Sequence, residues 1–165
     1  MANKQSFTPD EWTKILESAM LVGMAISATD PSGLWGTVKE ALASRSALDK
    51  SMADPGSNEL VRAVIADFEK SEGQEKIKAT LRKSFAEVKP SEFVERALDN
   101  LRQVSTIVDA KAPDDAAEFK TWLCSISQAV AEAAKEGGFF GVGGVRVSDS
   151  ERATLAEIAK ALGTS

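Results

Sequence analysis

Gly137-Gly138-Phe139-Phe140-Gly141-Val142-Gly143-Gly144-Val145-Arg146-Val147-Ser148 decides whether this chain is wholly helical. The stretch holds five of the eleven glycines, two adjacent phenylalanines and three valines, between two segments of helical periodicity. Two readings compete for it. In one, Phe139-Phe140 pairs with Val145-Arg146-Val147 as a short hairpin turning through the glycines, although an isolated hairpin needs support from other elements. In the other it is a connector. Gly137-Gly138 then ends one helix, because glycine takes the left-handed conformation without a Cβ penalty. Ser148 caps the next helix, with Glu151 three residues on closing a capping box. A loop this apolar does not sit wholly in water, so Phe139, Phe140, Val145 or Val147 is expected to plug a core. The connector reading makes the chain all-α.

The flanking sequence favours the connector. Upstream, Asp114 and Asp115 open a long helix with Phe119, Trp122, Leu123, Ile126 and Val130 on one face. Downstream, Leu155, Ile158, Ala159 and Leu162 form a stripe, with Gly163 just past its end. Further out, Pro90-Ser91 opens a helix whose Val94, Ala97, Leu98, Leu101, Val104 and Val108 approach a heptad seam, ended by Lys111-Ala112-Pro113. At the other end of the chain, Thr8-Pro9-Asp10-Glu11 combines an N-cap, a proline at the first helical position and a capping-box glutamate. The helix it starts shows Trp12, Ile15, Leu16, Ala19, Met20 and Gly23 at three- and four-residue spacing. Its second half is apolar on nearly every side and is expected to be central. Thr29-Asp30-Pro31-Ser32-Gly33 breaks it. Three further helices are read from Leu34 to Leu48, from a Ser57 cap through Leu60, Val61, Val64, Ile65 and Phe68, and from Ile77 to Val88.

The expected fold is therefore all-α: a single-domain antiparallel bundle of about seven helices over residues 1–165. Two related helical halves are a further reading. Thr8-Pro9-Asp10-Glu11 and Ala112-Pro113-Asp114-Asp115 each open a long helix containing a tryptophan, and each helix runs toward a glycine-rich aromatic segment. Chance explains the echo equally well, since Pro-Asp is a common helix opening.

Composition narrows the function. The net charge is −5, with 20 basic and 25 acidic side chains. A nucleic-acid binder needs a basic footprint, so none is expected here. Histidine and tyrosine are absent, and there is one cysteine, Cys124. The commonest general base and metal ligand is thus missing, and neither a disulfide within the chain nor a thiolate zinc cluster can form. No zinc, iron or other cofactor is expected, and no catalytic residue can be named. The first six residues lack the apolar core of a signal peptide. The longest apolar run, Ala19 to Ala28, is ten residues, against about 20 needed to span a bilayer. The expected location is cytoplasmic.

Five residues form the candidate ligand site: Gly141, Gly143, Gly144, Arg146 and Ser148. A glycine-rich loop entering a helix N-terminus offers backbone N–H groups and a positive dipole end to an anion, and Arg146 adds a charged donor. The spacing matches no phosphate fingerprint, so a close-packed connector remains the plainer reading. Asp114, Asp115 and Glu118 allow an oxygen-only cation site, but acids are favoured at a helix start for dipole reasons alone, and a solvated helix start is expected. Cys124 lacks an activating base and reads as a small core residue. The lysines and arginine of residues 76–89 read as the outer face of a helix. Trp12, Trp35, Trp122, Phe7, Phe139 and Phe140 read as core where the two halves of the bundle meet.

Two stretches carry a resemblance. Phe7-Thr8-Pro9-Asp10-Glu11-Trp12 with Leu21-Val22-Gly23-Met24-Ala25 and Ala28-Thr29-Asp30-Pro31-Ser32-Gly33 is one. Ala131 to Ser148, followed by Glu151 and Leu155-Ala156-Glu157-Ile158, is the other. Together they resemble a family of bacterial all-helical proteins of about this length with no assigned activity. A more distant likeness is to the tellurite-resistance TerB helical domains, small acidic bundles with internal helical repetition. The resemblance implies the helical fold and a bacterial source, and brings no activity, cofactor or catalytic residue. The expected function is non-enzymatic, through a protein partner or homo-oligomer, with anion or small-ligand binding at 137–148 as the alternative.

Overall fold

A computed structural model describes residues 2–29, 58–70, 88–136 and 149–164, together with Glu75, Ala79 and Lys83, which are helical. Those residues are all-helical. After a capped 3₁₀ turn at Lys4–Ser6, the continuous stretches of described residues form five α-helices: α1 (Pro9–Ala28), α2 (Glu59–Phe68), α3 (Pro90–Lys111), α4 (Pro113–Glu136) and α5 (Asp149–Leu162). The expected helix at 34–48 lies outside the described residues, as does most of the one at 77–88. So does the alternative hairpin in 139–147.

Local signals set the helix ends. At α1 the capping box is complete: the Thr8 amide donates to Glu11 Oε2 at 2.8 Å, and the Glu11 amide donates to Thr8 Oγ1 at 3.3 Å. α2 corrects one expectation. Its N-cap is Asn58 rather than Ser57, with Asn58 Oδ1 accepting from the Val61 amide at 2.9 Å. Asparagine is at least as good a cap as serine, and its amide has a second use, since Nδ2 donates to the Asp115 carbonyl at 2.9 Å. Proline sits at the first position of both α3 and α4, where its missing N–H costs nothing. Only Ala112 separates those two helices. α5 ends in Gly163 at φ +73°, the left-handed C-terminal position that favours glycine.

Helix α1 lies against α3, α4 and α5 and touches α2, while α2 packs mainly on α4. Ile15, Leu21, Val22 and Ala25 are wholly buried, as is Ile26 to within a percent. This is the central apolar half read from the sequence. From α3 come Phe93, Ala97, Leu101, Val104 and Val108, and from α4 Phe119, Leu123, Ile126 and Val130, all buried. The stripe of α3 thus begins one residue earlier than expected, at Phe93, with Val94 only partly buried. α5 contributes Ile158 and Leu162. Two cross-links fix the sense of the α1–α3 pair. Lys111 Nζ meets Glu11 Oε2 at 2.6 Å, and Lys14 Nζ donates to Gln103 Oε1 at 2.6 Å. Advancing along α1 means retreating along α3, so the two run antiparallel. No helix among the described residues is long and apolar enough to cross a membrane.

Candidate functional site

Gly141, Gly143, Gly144, Arg146 and Ser148 lie outside the described residues, which stop at Glu136 and resume at Asp149. What the structure brings together instead is a set of withdrawn charges where the N-terminal segment meets α1, α2 and α4.

Asp67, near the C-terminal end of α2, is the centre of this set. Its Oδ2 accepts from the Trp12 indole Nε1 at 2.8 Å and from Lys4 Nζ at 3.0 Å, and its Oδ1 accepts from Lys70 Nζ at 3.1 Å. The carboxylate is 12% exposed, while the two lysines are 63% and 70% exposed. Burial works to raise its pKa, but the hydrogen bonds from Trp12, Lys4 and Lys70 outweigh it and hold the group down at about 2. Phe7 stacks obliquely on Trp12, with ring centroids 5.8 Å apart, and closes the apolar side of the indole. The segment before α1 is thereby pinned to α2 through one carboxylate. Chemically, three donors already occupy this carboxylate, which suits it to hold elements together rather than to move protons.

A second anchor lies beside it. The Ala2 amide donates to Asp115 Oδ2 at 2.8 Å in a buried contact. The sequence predicts a solvated acidic helix start over Asp114, Asp115 and Glu118. Asp114 and Glu118 are exposed as expected, but Asp115 is 8% exposed and faces inward. Its position on the inner side of α4, next to buried Ala116 and one turn before buried Phe119, is the reason. Among the described residues no group of three or more Asp, Glu or Cys side chains is arranged to hold a metal ion.

Across α3 and α4, Lys120 Nζ reaches both oxygens of Asp109 at 2.6 Å. The lysine side chain is 10% exposed and the aspartate 55%, so the charge leaves the core along an aliphatic stem. Cys124 is partly buried, with Sγ 3.3 Å from Thr164 Oγ1 at the end of α5. Lys83, of the basic stretch at 76–89, is exposed on a helix.

Sequence reasoning passed over Asp67, Ala2 and Asn58. A signal for Asp67 was present, because it falls two turns after buried Leu60 on the same side of α2, and a buried indole N–H calls for an acceptor. Nothing local pointed to Ala2.

No protein-family model, curated protein or solved structure matches the chain.

Proposed function

We propose that this protein acts by binding rather than catalysis, through contacts with a protein partner or with copies of itself in the cytoplasm, and that the whole chain forms a bundle of about seven helices. The observation that carries this reading is the use to which the withdrawn charges are put. Asp67, Asp115 and Lys120 each bind across elements, so the polar groups removed from water are spent on fixing helix positions. Met20, Met24 and Ala28 add to it. They follow one line of α1, packed against the core yet only partly buried, and the exposed part of a methionine is an adaptable contact surface.

Size-exclusion chromatography with light scattering over a range of concentrations, joined to native mass spectrometry, tests the reading. The expected result is a mass that is a multiple of the chain mass, or a protein partner retained through purification. A strict monomer that carries one equivalent of a small anion would sink it.

A further inference from the structure

One buried carboxyl stands apart from this pattern. Glu17, in the middle of α1, is 7% exposed, yet its Oε1 has no hydrogen-bond partner. The other buried side-chain atom without a partner among the described residues is Asn100 Oδ1, on α3. The two helices that carry them are packed on each other. Lys14 of α1 is bonded to Gln103 of α3, and the helices run antiparallel. Three residues further along α1 is Glu17, and three residues back along α3 is Asn100. Counted from the Lys14–Gln103 bond, the next rung brings the Glu17 carboxyl to the level of the Asn100 side chain, and both carry a buried oxygen without a donor.

Two acceptors on one rung cannot satisfy each other, and a buried acceptor without a donor costs about 1–3 kcal/mol. An ionised Glu17 would add the larger cost of a charge withdrawn from water. One proton resolves both, since a carboxylic acid is a donor as well as an acceptor. We propose that the folded protein carries Glu17 as the neutral acid, its proton donated to Asn100 Oδ1, so that the α1–α3 seam is a proton-binding site.

The surroundings agree. Burial raises the Glu17 pKa above its ordinary 4.5, opposed by the Lys14 charge one turn away. Lys14 is itself bonded to Gln103. On α3, Arg96 one turn before Asn100 is exposed, and neighbouring Asp99, also exposed, is paired with Arg102. Of the ionisable groups on α4, Lys120 is tied to Asp109 and Cys124 lies against Thr164. α5 carries buried Glu151 and exposed Glu157 and Lys160. On α2, Asp67 is taken by Trp12, Lys4 and Lys70, and Arg62 is exposed. A group whose pKa is raised by folding gives stability that is complete below the unfolded value. That stability is lost as pH climbs through the folded value. The seam thus favours the folded state in mild acid and loosens toward alkali.

The test is a carbon-13 NMR titration of the folded full chain, following side-chain carboxyl carbons assigned through the bonds. Glu17 should titrate above 4.5, the ordinary value, and Asn100→Ala should lower its midpoint by removing the acceptor of its proton. A Glu17 midpoint at or below the ordinary value overturns the proposal, and the wild-type titration alone can deliver that result. So does a midpoint that rises in Asn100→Ala, which would mean that the amide donates to an ionised carboxylate. In parallel, Glu17→Gln, whose amide donates as the acid would, should flatten the fall in melting temperature from pH 5 to pH 8. An unchanged slope overturns the proposal as well.

Discussion

Replacing Asp67 by asparagine tests whether the N-terminal segment is held by charge or by shape. Asparagine is nearly isosteric and still offers Oδ1 to the Trp12 indole, so the substitution removes the charge and little else. Folding lowers the carboxyl pKa from 3.8 to about 2. At about 1.4 kcal/mol per unit, that shift is worth about 2 kcal/mol above pH 4. The lysine head groups stand mostly in water, where screening weakens such pairs. The charge is therefore expected to contribute about 1–2 kcal/mol. For a domain of this size that is a drop of about 2–8 °C in melting temperature.

The pH dependence carries the diagnosis. A carboxyl whose pKa is depressed by folding gives stability that is present above the unfolded value, here 3.8, and lost as pH falls through the folded value, here about 2. Urea unfolding followed by far-UV circular dichroism at pH 7, 5, 4, 3 and 2 should show wild type ahead of Asp67→Asn by about 1–2 kcal/mol at pH 7. The gap should narrow steeply below pH 4 and be mostly gone at pH 2, where the folded-state carboxyl is about half protonated. Glu11, whose pKa is also lowered, first by its hydrogen bond to Lys111, titrates in both proteins and drops out of the comparison. A gap that stays constant down to pH 2 would refute the charge reasoning and place the cost in packing. No gap at pH 7 would show that the lysines add nothing.

Asp115→Ala should cost about 1–3 kcal/mol in urea unfolding, because it strands the buried Ala2 amide, while Asp115→Asn keeps an acceptor and should cost less than half as much. Equal costs would remove that hydrogen bond from the account. Leu101→Ala, at a wholly buried position of α3, should destabilise by about 2–5 kcal/mol. A cost under about 1 kcal/mol would mean that α3 is not packed as described. Gly163→Ala isolates backbone conformation, since an added Cβ there meets nothing within 4 Å while φ is +73°. A loss of about 1–2 kcal/mol in thermal melts is expected, with Gly163→Asn much milder; equal behaviour of the two would contradict the left-handed cap.

Helix existence and inward faces were legible because periodicity and caps are local. The α1 start, the buried stripe of α4 and the glycine after α5 could all be read from neighbouring residues. What orients the helices against one another was not legible, for a definite reason. A periodicity reading sends apolar residues inward and polar ones outward, so it is blind to Glu17, Asp67 and Asp115, which are polar and inward. Their partners lie far off in sequence, at Trp12 for Asp67 and Ala2 for Asp115. The glycine stretch drew attention as a site because its composition is unusual, whereas withdrawn carboxyls hide among ordinary helical residues.

Those hidden carboxyls also set the conditions under which the fold is strongest. Asp67 gives stability above pH 3.8, and the proton proposed on Glu17 gives stability that fades as pH climbs from 4.5. Opposite slopes from Asp67 on α2 and Glu17 on α1 place the maximum of their combined contribution between 3.8 and 4.5, in mild acid. Each variant should move one limb only. Asp67→Asn should shallow the acid limb and leave the alkaline one, while Glu17→Gln should extend the plateau toward alkali and leave the acid limb in place. Melting temperatures of the three proteins from pH 2.5 to pH 9 separate the limbs, and a substitution that moved both together would mean that the two carboxyls do not act independently through the seams assigned to them.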